Sequence, residues 1–206
     1  MRKTVLLILL LGVLPATGVP VPAYKFDTIG ACTTTEVSDA EKKVLQEYGL
    51  RVNGDSGPSP EIVVEKMLEA GRVKPGEVVY DLGSGDGRIV IAAAQKFHAR
   101  AVGVELRADL CKAATERVKA LGLEDRVTLI HGNLLKMDLS PADVVTLYLL
   151  TSSNERLRPN LEKYLKPGAR VVSNEFQIRG WKPSEVVHIT TGGLMHNIYV
   201  YEIAKK

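Results

Sequence analysis

A chain of 206 residues, 45% apolar and 25% charged, is long enough to bury one sizeable core and too short for two. Lys+Arg (27) nearly balances Asp+Glu (24), leaving a formal net charge of +3, so no basic excess announces a specific nucleic-acid partner. No cluster of cysteine and histidine has the spacing of a zinc site, and Cys111, inside a helical pattern, reads as a small buried hydrophobe rather than half of a disulfide.

The first segment differs from the rest. Arg2 and Lys3 precede the apolar run Val5 to Leu14, and Pro15-Ala16-Thr17-Gly18 and Val21-Pro22-Ala23 follow with small residues, so residues 1–23 read as a signal-like or membrane-anchor segment. The run is shorter than the ~20 residues of a spanning helix. It suggests export or association with a membrane. Residues 24–57 form an extension with a short polar helix, about Val37 to Tyr48, and a linker of turn formers, Asn53-Gly54-Asp55-Ser56-Gly57-Pro58. The folded domain is expected over residues 58–206.

Ser59 is placed to cap a helix with Pro60 at its first position, the apolar face Ile62, Val63, Val64, Met67 and Leu68, and Gly71 at its end. Strands and helices then alternate: strand Val78 to Leu82, helix Arg88 to Phe97, strand Ala101 to Glu105, helix Ala108 to Leu121, strand Arg126 to Ile130, strand Asp143 to Leu149, helix Asn154 to Leu165, and a fifth strand from Arg170 to Ser173. Such alternation predicts a parallel sheet covered on both faces. Val186 to Thr190 and Ile198 to Ile203, separated by a short loop with Gly192-Gly193 and no helix, predict a closing antiparallel pair. The expected architecture is a Rossmann-like, doubly wound, mostly parallel seven-stranded sheet ending in an antiparallel hairpin.

In such sheets ligands bind beyond the carboxyl ends of the strands. The first strand runs into Asp81-Leu82-Gly83-Ser84-Gly85-Asp86-Gly87, where Gly83 and Gly85 let backbone and ligand approach and the following helix presents N–H groups at its start. A glycine loop alone also suits a pyrophosphate. Asp81 and Asp86 would repel one, whereas Asp81 would attract the ammonium of a zwitterion, so S-adenosyl-L-methionine is preferred to a dinucleotide. Glu105, ending the second strand, is placed to accept the ribose hydroxyls. Asn133 and Leu134, after the third, could hold the adenine. Tyr148 and Glu175, near the ends of the fourth and fifth strands, are the candidates to meet the methyl acceptor, and Trp181 either lines that channel or packs.

These segments resemble the archaeal broad-specificity protein lysine methyltransferases and, more distantly, the mitochondrial lysine methyltransferases acting on the adenine nucleotide translocase and the ATP synthase c subunit. The resemblance runs from about Pro58 to Ile203, through Val79 to Ile89, Val102-Gly103-Val104-Glu105, Gly132 to Leu135, Val144 to Thr151, Leu157 to Leu161, Lys166 to Ser173, Glu175-Phe176 and Gly180 to Pro183. It implies a class I methyltransferase fold and methylation of lysine Nε in a protein substrate. Ser56-Gly57 stand where the family usually has an aromatic residue or valine, which implies a looser lid over the cofactor. A small-molecule or RNA methyltransferase, or an exported non-catalytic binding protein on the same fold, remain open as alternatives.

Overall fold

The computed structural model describes Cys32, Asp39, Lys43 and residues 59–204. The signal-like run and the linker lie outside the described residues, as does all of the expected polar helix except Asp39 and Lys43, which are helical.

Seven strands form one sheet: β1 (Val78–Leu82), β2 (Arg100–Glu105), β3 (Val127–His131), β4 (Val144–Leu147), β5 (Arg170–Asn174), β6 (Glu185–Thr191) and β7 (Leu194–Glu202), in the order β3-β2-β1-β4-β5-β7-β6. The first five are parallel, and β7 runs antiparallel between β5 and β6. Four helices accompany them: α1 (Glu61–Ala70), α2 (Arg88–Lys96), α3 (Ala108–Ala120) and α4 (Thr151–Tyr164). The strand order reverses between β1 and β4, which puts the switch point at the glycine loop.

Alternation along the strands sorts side chains onto two faces. Val79, Ala101, Val144, Val172 and Ile198 join the core built on α1 and α2. Tyr80, Val102, Val145, Val171 and Tyr201 join the opposite core, which includes Leu157 and Leu161 of α4. Both cores are dry and apolar, and burial of this kind contributes roughly 25 cal/mol per Å² of apolar surface. It follows from parity that Asp81, Gly103, Glu105, Thr146 and Asn174 all belong to the α1 and α2 face.

The sequence reading and the structure differ in instructive places. Helix α1 begins one residue late, with Pro60 rather than Ser59 at the cap. Gly71 keeps a right-handed φ of −68°, and Arg72 takes the left-handed turn at 50°. Glycine at 71 eases a tight fit: a Cβ there would lie 3.0 Å from Val172 and 3.2 Å from Val144, so those side chains would have to shift. Strand β4 stops at Leu147, so Tyr148 lies just past its end, and α4 starts three residues earlier than expected. The closing strands run longer, joined by Gly192 and Gly193 with φ of 58° and 79°. Two successive positive values are the signature of the tight hairpin turn matched to strand twist.

Cys111 corrects the sequence reading outright. It is fully buried, as expected, but it is disulfide-bonded to Cys32, 79 residues earlier, with Cα atoms 5.3 Å apart. Nothing in a helical pattern records that a distant segment returns to it.

Candidate active site

The glycine loop is tied down from within. Gly83 and Ser84 donate their N–H groups to the Val104 carbonyl at 2.8 and 3.1 Å, Gly85 donates to Glu105 Oε2 at 2.8 Å, and Gly87 donates to the Ser84 carbonyl at 2.9 Å. These loop donors are therefore used inside the protein, and the N–H of Arg88, first in the helix whose start the sequence offers to a ligand, goes to Asp86 Oδ1 at 3.3 Å. What the loop offers instead is room and one hydroxyl. A Cβ at Gly85 would meet nothing within 4 Å, and the buried Ser84 Oγ has no hydrogen-bond partner.

Gly103 explains how Ser84 sits there. A Cβ on Gly103 would fall 2.8 Å from Ser84 Oγ and 2.8 Å from Leu129, so β2 carries glycine where the loop crosses it.

Asp81 is buried, and its Oδ1 accepts a hydrogen bond from the Thr146 hydroxyl at 2.8 Å across the β1–β4 register. Burial pushes its carboxyl up to about 7, against the pull of Thr146 and with the help of the charges on Glu105 and Asp86. Glu105 is also pushed up by burial, opposed by the N–H groups of Arg107, Gly85 and Leu106. Each of its oxygens already accepts one backbone N–H, Gly85 on Oε2 and Arg107 on Oε1, both at 2.8 Å. The two carboxylate oxygens carry about four lone-pair sites, more than the N–H groups of Gly85, Arg107 and Leu106 fill, so room for a further donor remains.

Asp86 is turned elsewhere. Its carboxylate grips Arg88 at 2.7 and 2.9 Å and lies 3.5 Å from Arg117, which holds it below the usual carboxylate range. Asn133 is buried at the start of a short 3₁₀ turn, Leu134–Lys136, and its Oδ1 accepts the Leu135 N–H at 3.0 Å.

A second group of side chains gathers beyond β4 and β5. Tyr148 is half-buried, with Phe176 stacked on it at 6.2 Å between centroids. Partial burial, and then the charge of Glu175, hold its hydroxyl above the ordinary tyrosine range. Glu175 Oε1 lies 2.6 Å from Nδ1 of His196, a β7 residue that sequence reasoning missed. Thr146 and Phe176 were missed too. Their placement depends on register and on the turn after β5, which no local pattern reports. Trp181 stands apart: it packs edge-on against Tyr201, which pairs with Val171 early in β5, and its Nε1 donates to Glu162 at 2.9 Å.

The donor set fits S-adenosyl-L-methionine. A buried carboxyl poised at about 7 suits the ligand's ammonium, an unpartnered hydroxyl suits its carboxylate, and the spare acceptor sites of Glu105 suit a ribose diol. A seven-stranded sheet with a reversed last strand, carrying such a site at its switch point, defines a class I, S-adenosyl-L-methionine-dependent methyltransferase.

Known proteins narrow this further. The family model described as the ANTKMT methyltransferase domain matches residues 81–185. A protein-lysine N-methyltransferase of Saccharolobus islandicus (strain REY15A) is 48% identical over 149 residues, spanning 72% of this chain and 92% of the relative. The adenine nucleotide translocase lysine N-methyltransferase of Mus musculus is 39% identical over 124 residues, spanning 60% of this chain and 54% of that protein. Among solved structures, an RNA methyltransferase from Salinibacter ruber in complex with S-adenosyl-L-homocysteine is 45% identical, with a TM-score of 0.68, covering 73% of this chain and 95% of that one. The chain belongs to the ANTKMT methyltransferase domain family.

Proposed function

We propose that this methyltransferase acts on the Nε of lysine in a protein substrate. The observation that carries the reading is a group of side chains beyond β4 and β5: Glu175 lies close to the stacked, partly buried rings of Tyr148 and Phe176, an acidic and aromatic combination. An alkylammonium is attracted to both a carboxylate and aromatic faces, whereas the phosphates of RNA would be repelled. The 48% identical relative named as a protein-lysine N-methyltransferase supports the same choice.

In this reading Asp81 holds the ammonium of the methyl donor, the Ser84 hydroxyl and the open space at Gly85 receive its carboxylate, Gly83 gives the loop its turn, Glu105 takes the ribose hydroxyls, and Asn133 and Leu134 border the adenine. Asp86 serves the loop indirectly, fixing its exit through Arg88 and Arg117. Bound S-adenosyl-L-methionine supplies a methyl group on a sulfonium centre. A free lysine, with a pKa near ~10.4, is almost wholly protonated at neutral pH. The chain must therefore desolvate the amine and let Glu175 or water take a proton from it, and align it through Tyr148.

Residues 58–206 would form the catalytic domain and 24–57 an extension. Residues 1–23 would direct export or bind a membrane, a reading supported by the Cys32–Cys111 bond, since disulfides persist in oxidising compartments.

The test is transfer of labelled methyl from S-adenosyl-L-methionine to a mixture of native and denatured proteins by the full chain, with Asp81→Ala as control and acid hydrolysis of the product. Methyl-lysine is expected. Label in added RNA, with none in protein, would move the assignment to the chemistry named for the Salinibacter structure.

A further inference from the structure

Three non-glycine residues have positive φ among the described residues, and one of them, Glu175 at 63°, lies in the acceptor group. The N–H of Phe176 donates back to the Asn174 carbonyl at 2.8 Å, closing a one-residue turn around Glu175. A turn of this hand is rare and strained for a side chain with a Cβ. Several bonds hold it. Glu175 N–H donates to the Asn197 carbonyl at 2.7 Å, and the Phe176 carbonyl accepts from Ser173 Oγ at 2.5 Å and from Asn154 Nδ2 at 3.1 Å.

Immediately before this turn stands Asn174, only 1% exposed, with neither Oδ1 nor Nδ2 hydrogen-bonded. A buried polar atom left unpaired destabilises the fold, and here both ends of one amide are unpaired. Whichever way the amide is turned, an acceptor and a donor are on offer. Asn174 ends β5 on the same face as Asp81 and Thr146. Leu147 pairs with Ser173 as the last pair of the β4–β5 register, and Tyr148 and Asn174 are each next in the chain after that pair.

We propose that Asn174 is a binding residue for the methyl acceptor, its amide oxygen accepting an N–H of the incoming lysine amine beside Tyr148 and Glu175. This rests on the lysine reading above. The strained turn then has a purpose: it ends the strand so that the buried Asn174 amide and the Glu175 carboxylate, on consecutive residues, serve the same acceptor group. Asn174 differs from the donor-binding residues in position, standing two strands from the glycine loop in the order β1-β4-β5.

Asn174→Leu is the decisive variant, because it keeps the size and removes both polar ends. With no partner to lose, the full chain carrying it should melt at or above the parent temperature and bind S-adenosyl-L-methionine with unchanged affinity by calorimetry. Its rate of methyl transfer to the denatured-protein mixture, at limiting protein concentration, should fall by 10-fold or more. An unchanged rate, a markedly lower melting temperature, or a 10-fold loss of S-adenosyl-L-methionine affinity would each overturn the assignment. If the parent chain labels no lysine, the lysine reading falls and takes this one with it. An active parent with an equally active Asn174→Leu overturns only the role of Asn174.

Discussion

Thr146 donates its hydroxyl to Asp81 at 2.8 Å from the next strand, and it is the one side-chain hydrogen bond that offsets the burial of that carboxyl. The bond does not suffice: burial still lifts Asp81 from 3.8 to about 7. In the ligand-free protein this carboxyl is therefore largely protonated below that value, while an unfolded chain would release the proton near 3.8. The sign follows from linkage: the folded state binds more protons across that window, so Asp81 favours folding at low pH and this contribution is lost as pH rises from about 4 through about 7. Docking an ammonium at Asp81 reverses the preference by drawing the proton off. Affinity for S-adenosyl-L-methionine should thus rise between pH 6 and 8, by up to about 10-fold per unit below the Asp81 pKa, with proton release on binding. Asp81→Asn should bind more weakly, show a flatter pH dependence and melt higher than the parent at pH 8. Calorimetry in two buffers of different ionisation heat reads the proton; no release at pH 6 would contradict the placement of the ammonium.

Gly103 makes the second prediction. Its backbone angles suit any residue, so Gly103→Ala fails only through space, with its new methyl 2.8 Å from Ser84 Oγ and 2.9 Å from Ser84 Cβ. The loop must lift. Donor affinity should drop at least 10-fold while the melting temperature falls by a few degrees, the pattern of a local displacement. If calorimetry finds affinity unchanged, Ser84 is not part of the donor site.

Much of this was legible in the sequence, and the reasons are local. Val78 to Leu82 reads correctly as a strand because turn formers bound it on both sides, and Glu105 is placed correctly at the end of the next strand. Local patterns also locate the closing hairpin through Gly192-Gly193. The acceptor side resists the same treatment. His196 reaches Glu175 only because β7 inserts beside β5 and because Glu175 adopts a left-handed φ, and a sequence of Asn174-Glu175-Phe176 announces neither. Cys32 likewise looks unremarkable until the fold returns it to α3.

That disulfide is directly testable. In the chain-entropy account, closing a loop of this length contributes up to about 4 kcal/mol, so reductant or Cys111→Ala should lower the melting temperature by several degrees. Non-reducing peptide mapping should recover a Cys32–Cys111 peptide, with no thiol titrating in denaturant. Two titratable thiols per chain in protein prepared under oxidising conditions would show that the bond does not form.

Tyr148 tests how the acceptor is handled. In the proposed reading its hydroxyl aligns the amine rather than bonding to the reacting methyl, and such contributions are partial. Tyr148→Phe should keep the stacking on Phe176 and slow methyl transfer by roughly 10-fold, with donor affinity intact. Complete loss of activity would mean that the hydroxyl takes part in proton removal.

Glu175 separates stability from function. A left-handed φ costs a residue with a Cβ about 1–2 kcal/mol, a cost that glycine does not bear. Replacing the carboxylate removes the His196 partner in either case, so Glu175→Ala and Glu175→Gly lose the same bond and differ only in backbone strain. Glu175→Gly should therefore melt above Glu175→Ala by about 2–4 °C for each kcal/mol relieved, although glycine gives back some of that through its greater freedom when unfolded. Both variants should transfer methyl at least 10-fold more slowly than the parent, because neither can hold the ammonium or accept its proton. Glu175→Gly melting below Glu175→Ala would mean that the turn carries less strain than glycine's added freedom costs, and then the conformation of Glu175 would need no functional reason. Full activity in both would leave water alone as the proton acceptor and remove Glu175 from the acceptor site.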